Sequence, residues 1–559
     1  MKRILSHPLF WIIAASILPV LSLLHSGMPY VHDGQDHVTR IANFYAVLKE
    51  GTIVPRWAPN LNWGYGHPVL MFLYPLPEYL ASVFHFVGFS LVDSTKLVFG
   101  LAFIASTVTM YLWMSAAFGI GAGTIGALLY TFAPYRFVDL HVRGALGEHV
   151  AFVFPPLIMY FLWKLTRPGM TIRATIHITI GAALCTAALI LSHNALALMF
   201  LPVIGLYGLY LFIAETKNKW RYVLSGIAVL IGGFVLSAFF WVPALAEGKF
   251  TLRDIVTAGG ALTRFVPWTQ FIYSPWNWGG GEDMSKSLGI AQWVGVAASV
   301  YLIFRHTNKK LVVLVTGFIV LLLCSLLIMT SYSAFIWRLV KILQNFQFPW
   351  RFLSLSVFLS AVIGGIAADW FLGAFRLKPQ VYTKIFITFC VMTVIITINM
   401  WRPKGYQYRD ESFYTGMYPG TTDTGESTPV WSVRFMEHAP DNPLDVIDGD
   451  ASVTVGKRIS TEHEYTITVR KPTLMLENTL YFPGWKIYIN GVQTAVEWQN
   501  PDYRGLMTFR VVPGDTRVRV VFVDTKIRKT ANMVSAAGFM IAGVAGIGVM
   551  VWQKRKRYR

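Results

Sequence analysis

Cysteine and charge are both scarce in this chain. Only three of its 559 residues are cysteines (Cys185, Cys324 and Cys390), and only 14% are charged. The cysteines lie far apart in apolar runs, which excludes a disulfide framework and a cysteine metal cluster. The low charge accompanies 54% hydrophobic residues, which excludes a soluble globular protein of this size. Repeated apolar runs of roughly 17–25 residues instead predict a polytopic α-helical membrane protein.

Acidic residues are scarcer than basic ones. There are 29 Asp and Glu against 48 Lys and Arg, a formal net charge of +19. Such an excess can indicate a nucleic-acid-binding protein, but here the basic residues fall mainly in short loops and at both ends of the chain. That distribution is typical of the cytoplasmic loops of membrane proteins. We therefore expect both termini in the cytoplasm and no nucleic-acid partner.

About twelve transmembrane helices account for the apolar runs and place every basic loop on one side of the membrane. The stretch 68–92 is not counted, because Pro68, Pro75 and Pro77 predict a broken helix in the membrane interface. The first eleven spans form a domain of residues 1–401, with large external loops at 27–95 and 135–149. Nine spans are predicted at 8–26, 96–116, 120–134, 150–165, 174–191, 222–243, 311–330, 385–401 and 530–552. The three other spans are located only by the loops on either side of them.

Residues 402–528 are polar and predict a separate extracytoplasmic domain. Alternating runs at 465–469, 486–489 and 518–523 predict strands, and Asn490-Gly491 predicts a hairpin turn. We expect a small antiparallel β-sandwich, held by its core alone because it contains no cysteine. Its first part, 402–450, is a candidate cover for an active site. Residues 529–559 are expected to supply the last transmembrane helix and a basic cytoplasmic tail.

Directly after the first span, residues 32–40 concentrate two carboxylates, two imidazoles and a guanidinium. These side chains belong to His32, Asp33, Asp36, His37 and Arg40. If the segment becomes helical after Asp33, then Asp33, His37 and Arg40 share one face. A solvated loop crossed by salt bridges is the plainer interpretation. The position at the membrane surface favours a functional site.

A second polar cluster lies between the third and fourth spans, on the same predicted side of the membrane. Its members are Arg136, Asp139, His141, Arg143 and Glu148. In a regular helix Arg136, Asp139 and Arg143 share one face. A single ionisable residue at the end of a membrane helix often only anchors it at the interface. Two such clusters on one side are better explained as halves of one site.

Three more residues of interest fall on that side. Arg351 enters a span from outside, at the end of the run 347–351. Its permanently charged fork suits a lipid phosphate, or an ordinary headgroup contact. His193 and Asn194 lie at the mouth of two spans, where they either contact substrate or cap a helix.

The topology and the clusters together resemble the GT-C class of membrane glycosyltransferases. Those proteins carry an acidic residue in the first external loop, interfacial helices before the second span, a second acidic loop between spans three and four, and often a soluble C-terminal domain. More closely, the chain resembles the bacterial multispan proteins labelled 6-pyruvoyl-tetrahydropterin-synthase-related. The matching stretches are 32–40, 133–148, 192–194 and 347–351, with Tyr481-Phe482-Pro483-Gly484-Trp485 in the C-terminal part. The sequence has no soluble α+β domain that could host pterin-synthase zinc chemistry.

The resemblance implies an inverting glycosyltransferase of the bacterial cytoplasmic (inner) membrane. It would move a sugar from a polyprenyl-phosphate donor to an envelope glycan, lipid or protein acceptor, among membrane lipids. Asp33 is expected to be the general base, with Asp36 and Glu148 as further catalytic residues that hold the acceptor or a divalent cation. Two residues separate Asp33 from Asp36, which differs from the Asp-x-Asp pattern of metal-binding carboxylates. The cofactor therefore stays unknown, and no metal ligand is assigned. The expected substrate-binding residues are His32, His37, Arg40, Arg136, Asp139, His141, Arg143, His193, Asn194 and Arg351, with Arg136, Arg143 and Arg351 on the lipid phosphate.

Two alternatives stay open. A transporter or flippase of lipid-linked glycans would carry ionisable residues at mid-span and often repeated halves, whereas the charges here collect at the outer ends of spans. A non-catalytic carbohydrate-binding membrane scaffold would use the β domain as its binding module. In that case, replacing Asp33 would not change the role of the protein.

Overall fold

The computed structural model describes residues 8–281, 283–374 and 379–557. Helices build the N-terminal part, and strands followed by one long helix build the C-terminal part. The helices are α1 (Pro8–Val20), α2 (Gly34–Lys49), α3 (Val69–Phe72), α4 (Leu76–Phe86), α5 (Leu91–Phe118), α6 (Ile120–Thr131), α7 (Pro134–Val138), α8 (Leu146–Ala151), α9 (Phe154–Leu165), α10 (Ile172–Ser192), α11 (Asn194–Ala214), α12 (Lys219–Leu236), α13 (Ala238–Glu247), α14 (Arg253–Thr257), α15 (Trp268–Ile272), α16 (Ile290–Arg305), α17 (Lys309–Leu327), α18 (Ala334–Leu339), α19 (Leu353–Ala374), α20 (Pro379–Thr397), α21 (Glu411–Thr415) and α22 (Lys526–Arg557).

Within the described residues, seven helical stretches are long and apolar enough to cross a membrane. They are Leu91–Phe118, Leu146–Leu165, Ile172–Ser192, Asn194–Ala214, Lys219–Leu236, Lys309–Leu327 and Pro349–Ala374. Shorter apolar helices at Pro8–Leu24, Ile120–Thr131, Ile290–Arg305 and Ile387–Met400 coincide with further predicted spans. The chain is thus a helical, multi-pass membrane protein. The total of twelve spans, and α22 as one of them, stay predictions.

Helix α19 lies at the centre of the helical domain, against α6, α16 and α17. All of its residues from Leu353 to Ala367 are buried. A Cβ atom placed on Gly365 would lie 2.7 Å from the carbonyl oxygen of Ala122 in α6. Small residues let membrane helices approach closely, so this contact depends on glycine.

Short helices connect α1 to α5 at the end of the bundle that carries the strands. The stretch 68–92 is broken into α3 and α4, as its prolines predict. The break lies just before α4: Pro75 is its N-cap residue and Pro77 its second residue, and neither has the backbone donor that a continuous helix would need there. The location of this stretch in a membrane interface stays a prediction.

The described strands form two antiparallel sheets. A small sheet pairs β1 (Met28–Pro29) with β2 (Tyr406–Gln407) and so ties the segment after α20 to the segment after α1. The six-stranded sheet has the order β3-β4-β8-β5-β6, with β7 also paired to β4. Its strands are β3 (Leu444–Ile459), β4 (Glu462–Leu480), β5 (Trp485–Ile489), β6 (Val492–Thr494), β7 (Leu506–Val511) and β8 (Gly514–Phe522).

The predicted β-rich C-terminal domain is confirmed as an antiparallel β-sheet domain; its packing as a sandwich stays a prediction. Strand β4 is 19 residues long; its first half pairs with β8 and its second half with β7. Because β3 and β4 run through both halves, hydrogen bonds join all six strands into one sheet. The hairpin turn predicted at Asn490-Gly491 is confirmed between β5 and β6.

The sheet domain rests directly on the helical domain. Trp57, in the loop before α3, is 1% exposed and packs edge-on against Trp485, with ring centroids 5.3 Å apart. Below it, the buried guanidinium of Arg528 in α22 donates to Glu247 of α13 and to the carbonyl of Pro483, both at 2.6 Å. Such a buried ion pair fixes geometry more than it adds net stability. It joins α13, α22 and the sheet.

Candidate active site

The backbones of the two polar clusters are joined. The amide of His32 donates to the carbonyl of Val142 (3.0 Å), and the amide of Asp33 donates to the carbonyl of Arg143 (2.9 Å). Asp33 then occupies the N-cap position of α2, while the His32 side chain is exposed. The structure therefore brings together the two halves that the sequence placed on one side.

The Asp33 carboxylate is open. Its side chain is exposed, it makes no capping bond to α2, and no hydrogen bond to it is present among the described residues. The protein packed around it raises the pKa of this carboxyl, while Arg143 and, more weakly, Arg40 act in the opposite direction. A carboxylate that is accessible, unbonded and more basic than usual is suited to accept a proton from a bound molecule.

Glu148 is the buried centre of the second cluster. It is 1% exposed and accepts hydrogen bonds from Nη2 of Arg143 (2.7 Å) and from the hydroxyl of Tyr135 (3.1 Å). Nε of Arg351 lies 3.8 Å and Nε2 of His193 3.9 Å from the same carboxylate. Its oxygens are therefore engaged, and Glu148 holds two arginines in place.

Arg143 connects this centre to the run 347–351. It contacts the carboxylate of Asp139, and its guanidinium carbon lies 4.5 Å from the ring centroid of Trp350. Arg351 follows directly, so two of the three arginines predicted to meet a phosphate, Arg143 and Arg351, lie near each other. Both guanidinium groups are held by contacts that do not require a ligand.

Arg136 and His141 are the predicted site residues that the structure does not bring to this opening. Both are fully buried. Arg136 donates to the hydroxyl of Ser106 (2.7 Å) and lies 4.2 Å from the ring centroid of Phe152. The cause is local: residues Asp139–Arg143 form a π turn. Its wider turn changes the helical register, so Arg136 and Arg143 do not share the face that regular spacing predicts.

The segment of residues 402–443, between α20 and β3, is called here the cover segment, and it lies against the first cluster. The Tyr418 hydroxyl donates to Asp36 (2.8 Å), and Arg40 donates to the hydroxyl and the carbonyl of Thr422. Arg40 also lies 3.7 Å from the carboxylate of Glu78 in α4. Burial raises the pKa of Asp36 and raises that of Glu78 to about 7. The segment expected to cover a site therefore does contact this one.

A polar cavity of about 460 Å³ opens beside the second cluster. Its walls include Trp350, Arg264, Lys286 and Gln270. Trp350 is the ring that Arg143 stacks on, so the cavity and the cluster share a wall. Arg264 adds a permanent positive charge to the wall, which favours an anion in the cavity.

The remaining predicted residues have local partners. His37 is buried, with Nδ1 3.2 Å from Nη1 of Arg40. His193 accepts from the backbone amide three residues later (3.3 Å) and stacks on Tyr74, with centroids 4.7 Å apart. The Asn194 side chain accepts from the following amide (2.8 Å). For His193 and Asn194 the geometry favours the helix-capping alternative.

Some residues of the site were not anticipated from the sequence. They are Glu78, Tyr135, Tyr418, Thr422 and Glu426, the last of which accepts from the side chain of Gln347. Glu78 had a usable signal, because an acidic residue in an apolar stretch is unusual. The cover segment gives no such signal, because its sequence has no periodicity and the residues that it contacts are about 380 positions away in the sequence.

Among the described residues, no group of three or more His, Cys, Asp or Glu side chains is arranged to hold a metal ion. Asp33 and Asp36 are engaged differently, since Asp36 meets Tyr418 while Asp33 is open. A requirement for a divalent cation stays a question for experiment.

Comparisons with known proteins give distant likenesses. No family model matches the chain. An uncharacterized protein of Lactococcus lactis subsp. cremoris (strain MG1363) is 25% identical over 257 residues, which cover 44% of this chain and 41% of the relative. Among solved structures, the arabinofuranosyltransferase AftD from Mycobacteria is similar with a TM-score of 0.43 and 15% identity, over 71% of this chain and 27% of that one. ArnT from Cupriavidus metallidurans, bound to undecaprenyl phosphate, is similar with a TM-score of 0.40 and 15% identity, over 68% of this chain and 62% of that one.

The chain thus spans less than half of the length of the relative and of AftD. Its resemblance to the 6-pyruvoyl-tetrahydropterin-synthase-related proteins stays a prediction. At these TM-scores, what the chain does must be inferred from its own side chains.

Proposed function

We propose that this protein is an integral-membrane glycosyltransferase of the bacterial cytoplasmic membrane. It moves a sugar from a polyprenyl-phosphate donor to an envelope glycan, lipid or protein acceptor on the external face. The proposal is supported above all by the open carboxylate of Asp33, with the positive charges of Arg143, Arg40 and Arg351 near it. This carboxylate lies at the end of the helical bundle that carries the sheet domain, where a lipid-linked donor and a hydrophilic acceptor can meet.

Inverting transfer needs a base on one face of the sugar. The base takes the proton of the acceptor hydroxyl as its oxygen bonds to the anomeric carbon, and the lipid phosphate leaves from the opposite face with the bonding electron pair. Asp33 fits this role because it is accessible and its pKa is raised. Asp36 and Glu148 already accept hydrogen bonds from Tyr418 and Arg143. We therefore assign Asp33 as the catalytic residue and make the other two carboxylates positioning residues.

The departing phosphate needs positive charge that is already in place. Arg143 and Arg351 supply it, and the Glu148 carboxylate beside both holds them before the donor arrives. Such preorganised charge is the most effective kind of transition-state stabilisation. The polar cavity with Arg264 and Lys286 provides adjoining room for an anionic donor. Membrane lipids around the spans admit the donor's lipid tail.

The proposal is tested by mass spectrometry of envelope lipids and glycans from a deletion strain. We expect a mass equal to one sugar residue to be lost on deletion and restored by wild type. An equally expressed Asp33→Asn should not restore it, whereas Asp450→Asn, a matched change at a surface pair of the sheet domain, should. Transfer by the purified protein with and without EDTA decides whether a divalent cation takes part.

Other outcomes would point to the alternatives. Full rescue by Asp33→Asn would remove the base assignment and favour the carbohydrate-binding scaffold. A lipid-linked precursor that accumulates on the cytoplasmic side of the deletion strain would favour the flippase.

A further inference from the structure

A second cavity lies at the seam between the sheet domain and helix α2. Its volume is about 450 Å³, within the range of pockets that hold small ligands. Four parts of the chain form its walls: the last turn of α2, the loop before α3, the cover segment at Met417 and 440–443, and the sheet domain at 458–463. None of the residues assigned to transfer lines it, so the cavity calls for a separate explanation.

The chemistry of the walls restricts the ligand. Glu50 and Asp441 are acidic, Arg458 is basic and Asn442 adds an amide. Ser460 donates to Glu50, and Arg458 lies 3.4 Å from Glu477. Glu50, Asp441 and Arg458 are nevertheless exposed. The two carboxylates disfavour a phosphate, and an apolar chain would remove water from these charged groups at a cost in free energy. A neutral ligand covered with hydroxyl groups suits both kinds of wall. Its hydroxyls can donate to the carboxylates and accept from the guanidinium and amide groups.

Helix α2 connects this cavity to the candidate active site. Asp33 precedes its first residue and Glu50 follows its last. The helix has 16 residues, and with a rise of 1.5 Å per residue its two ends lie about 25 Å apart. A ligand in the cavity is therefore too far away to be the reacting group itself.

One stripe of α2 runs between the two places. Asp36, Asn43 and Glu50 are seven residues apart, which places them on nearly the same face of the helix. Asp36 accepts from Tyr418 of the cover segment. The Asn43 side chain accepts from the amide of Asn60 (3.0 Å), which lines the cavity, and Glu50 lines it directly.

We propose that this cavity binds a sugar segment of the acceptor, at a distance from the point of transfer. The inference rests on the proposed function and narrows it: the acceptor is a glycan chain of several sugar units, rather than a single lipid or protein side chain. A chain held in the cavity must extend about 25 Å along α2 to bring its end to Asp33. Binding of the remote segment would position that end for reaction.

Two residues in the last part of α2, three positions apart, provide a matched test. Ala46 lines the cavity, whereas Lys49 is exposed and lies outside its walls. Ala46→Trp should fill the cavity and Lys49→Trp should leave it open. Asp441→Ala removes an exposed carboxylate from the cavity wall. It provides a second test of the cavity if Ala46→Trp does not fold.

Binding is measured with the purified full-length protein in detergent. The probes are polysaccharide fragments released from the envelope of the deletion strain and separated by length. We expect the long fragments to bind wild type, Lys49→Trp and Asp33→Asn equally. Asp441→Ala should weaken binding by about tenfold or more, the effect of losing one hydrogen bond to a charged group. Ala46→Trp should weaken it at least as much, because the indole ring occupies the space of the ligand.

The proposal is overturned if no fragment binds wild type, or if both cavity variants bind as wild type does. Binding to Asp33→Asn separates this result from the proposed function. If the protein transfers no sugar but the fragments still bind in the cavity, the proposed function is wrong and the proposal of a glycan-binding cavity holds. Should transfer occur without fragment binding, the glycan site fails alone.

Discussion

Replacing Glu148 by glutamine tests whether its carboxylate stabilises the site or reacts in it. Glutamine keeps the size and still accepts from Tyr135, but it removes the negative charge that lies 2.7 Å from Arg143 and 3.8 Å from Arg351. Arg143 then keeps Asp139 as its carboxylate partner. The positive charges of the buried Arg143 and the partly buried Arg351 lose the negative charge that lay beside both. Removing one partner of a buried ion pair costs about 3–5 kcal/mol.

We therefore expect Glu148→Gln to lower the thermal unfolding midpoint of the detergent-purified protein by several degrees, as measured by size-exclusion chromatography after heating. Asp33→Asn serves as the comparison. Because Asp33 is exposed and unbonded, its replacement should change stability by less than about 0.5 kcal/mol while lowering transfer by about 10²–10⁴-fold. If Glu148→Gln kept wild-type stability and lost transfer as completely as Asp33→Asn, the roles assigned to the two carboxylates would be wrong.

Three further changes probe the surroundings. Burial raises the pKa of Glu78 to about 7, so the folded state holds an extra proton from about pH 4.5 to 7, and stability falls by up to about 3 kcal/mol as pH rises through that window. Glu78→Gln should flatten this dependence in melting curves, and curves as steep as those of wild type would contradict the reasoning. Tyr418→Phe removes a donor to Asp36 worth about 1 kcal/mol, so trypsin should cut the cover segment faster; unchanged cleavage would show that this bond does not hold it. Arg528→Leu leaves Glu247 buried without its cation and should cost about 3–5 kcal/mol, and a wild-type melting temperature would show the pair to be dispensable.

Local features of the site could be predicted where they follow regular spacing. The sequence predicts that Asp33, His37 and Arg40 share one face if the segment is helical after Asp33, and α2 does begin at Gly34. The meeting of the two clusters followed from loops assigned to one side of the membrane. Arg136 was misplaced, because spacing assumes 3.6 residues per turn and gives no warning of the π turn at Asp139–Arg143.

Long-range pairings could not be predicted in the same way. Alternation predicted parts of β4, β5 and β8, and the Asn490-Gly491 pair predicted the turn between β5 and β6. Alternation does not show which strands pair. A sandwich and a single sheet built on the 19-residue strand β4 have the same alternation. The bond between Tyr418 and Asp36 likewise depends on how a segment without periodicity packs.

The cover segment also makes the site late to form during synthesis. Asp36 and Tyr418 are 382 residues apart, and a ribosome that adds about 5–20 residues per second needs roughly 20–80 s to pass from one to the other. During that interval α2 has been made and has no cover. A chain released early would keep its first helices and the open carboxylate of Asp33 but would lack Tyr418, Thr422 and the sheet domain. Under the proposed function, a translation product becomes a working enzyme only after Tyr418, Thr422 and the sheet domain have been made, so chains released before that point cannot modify the envelope.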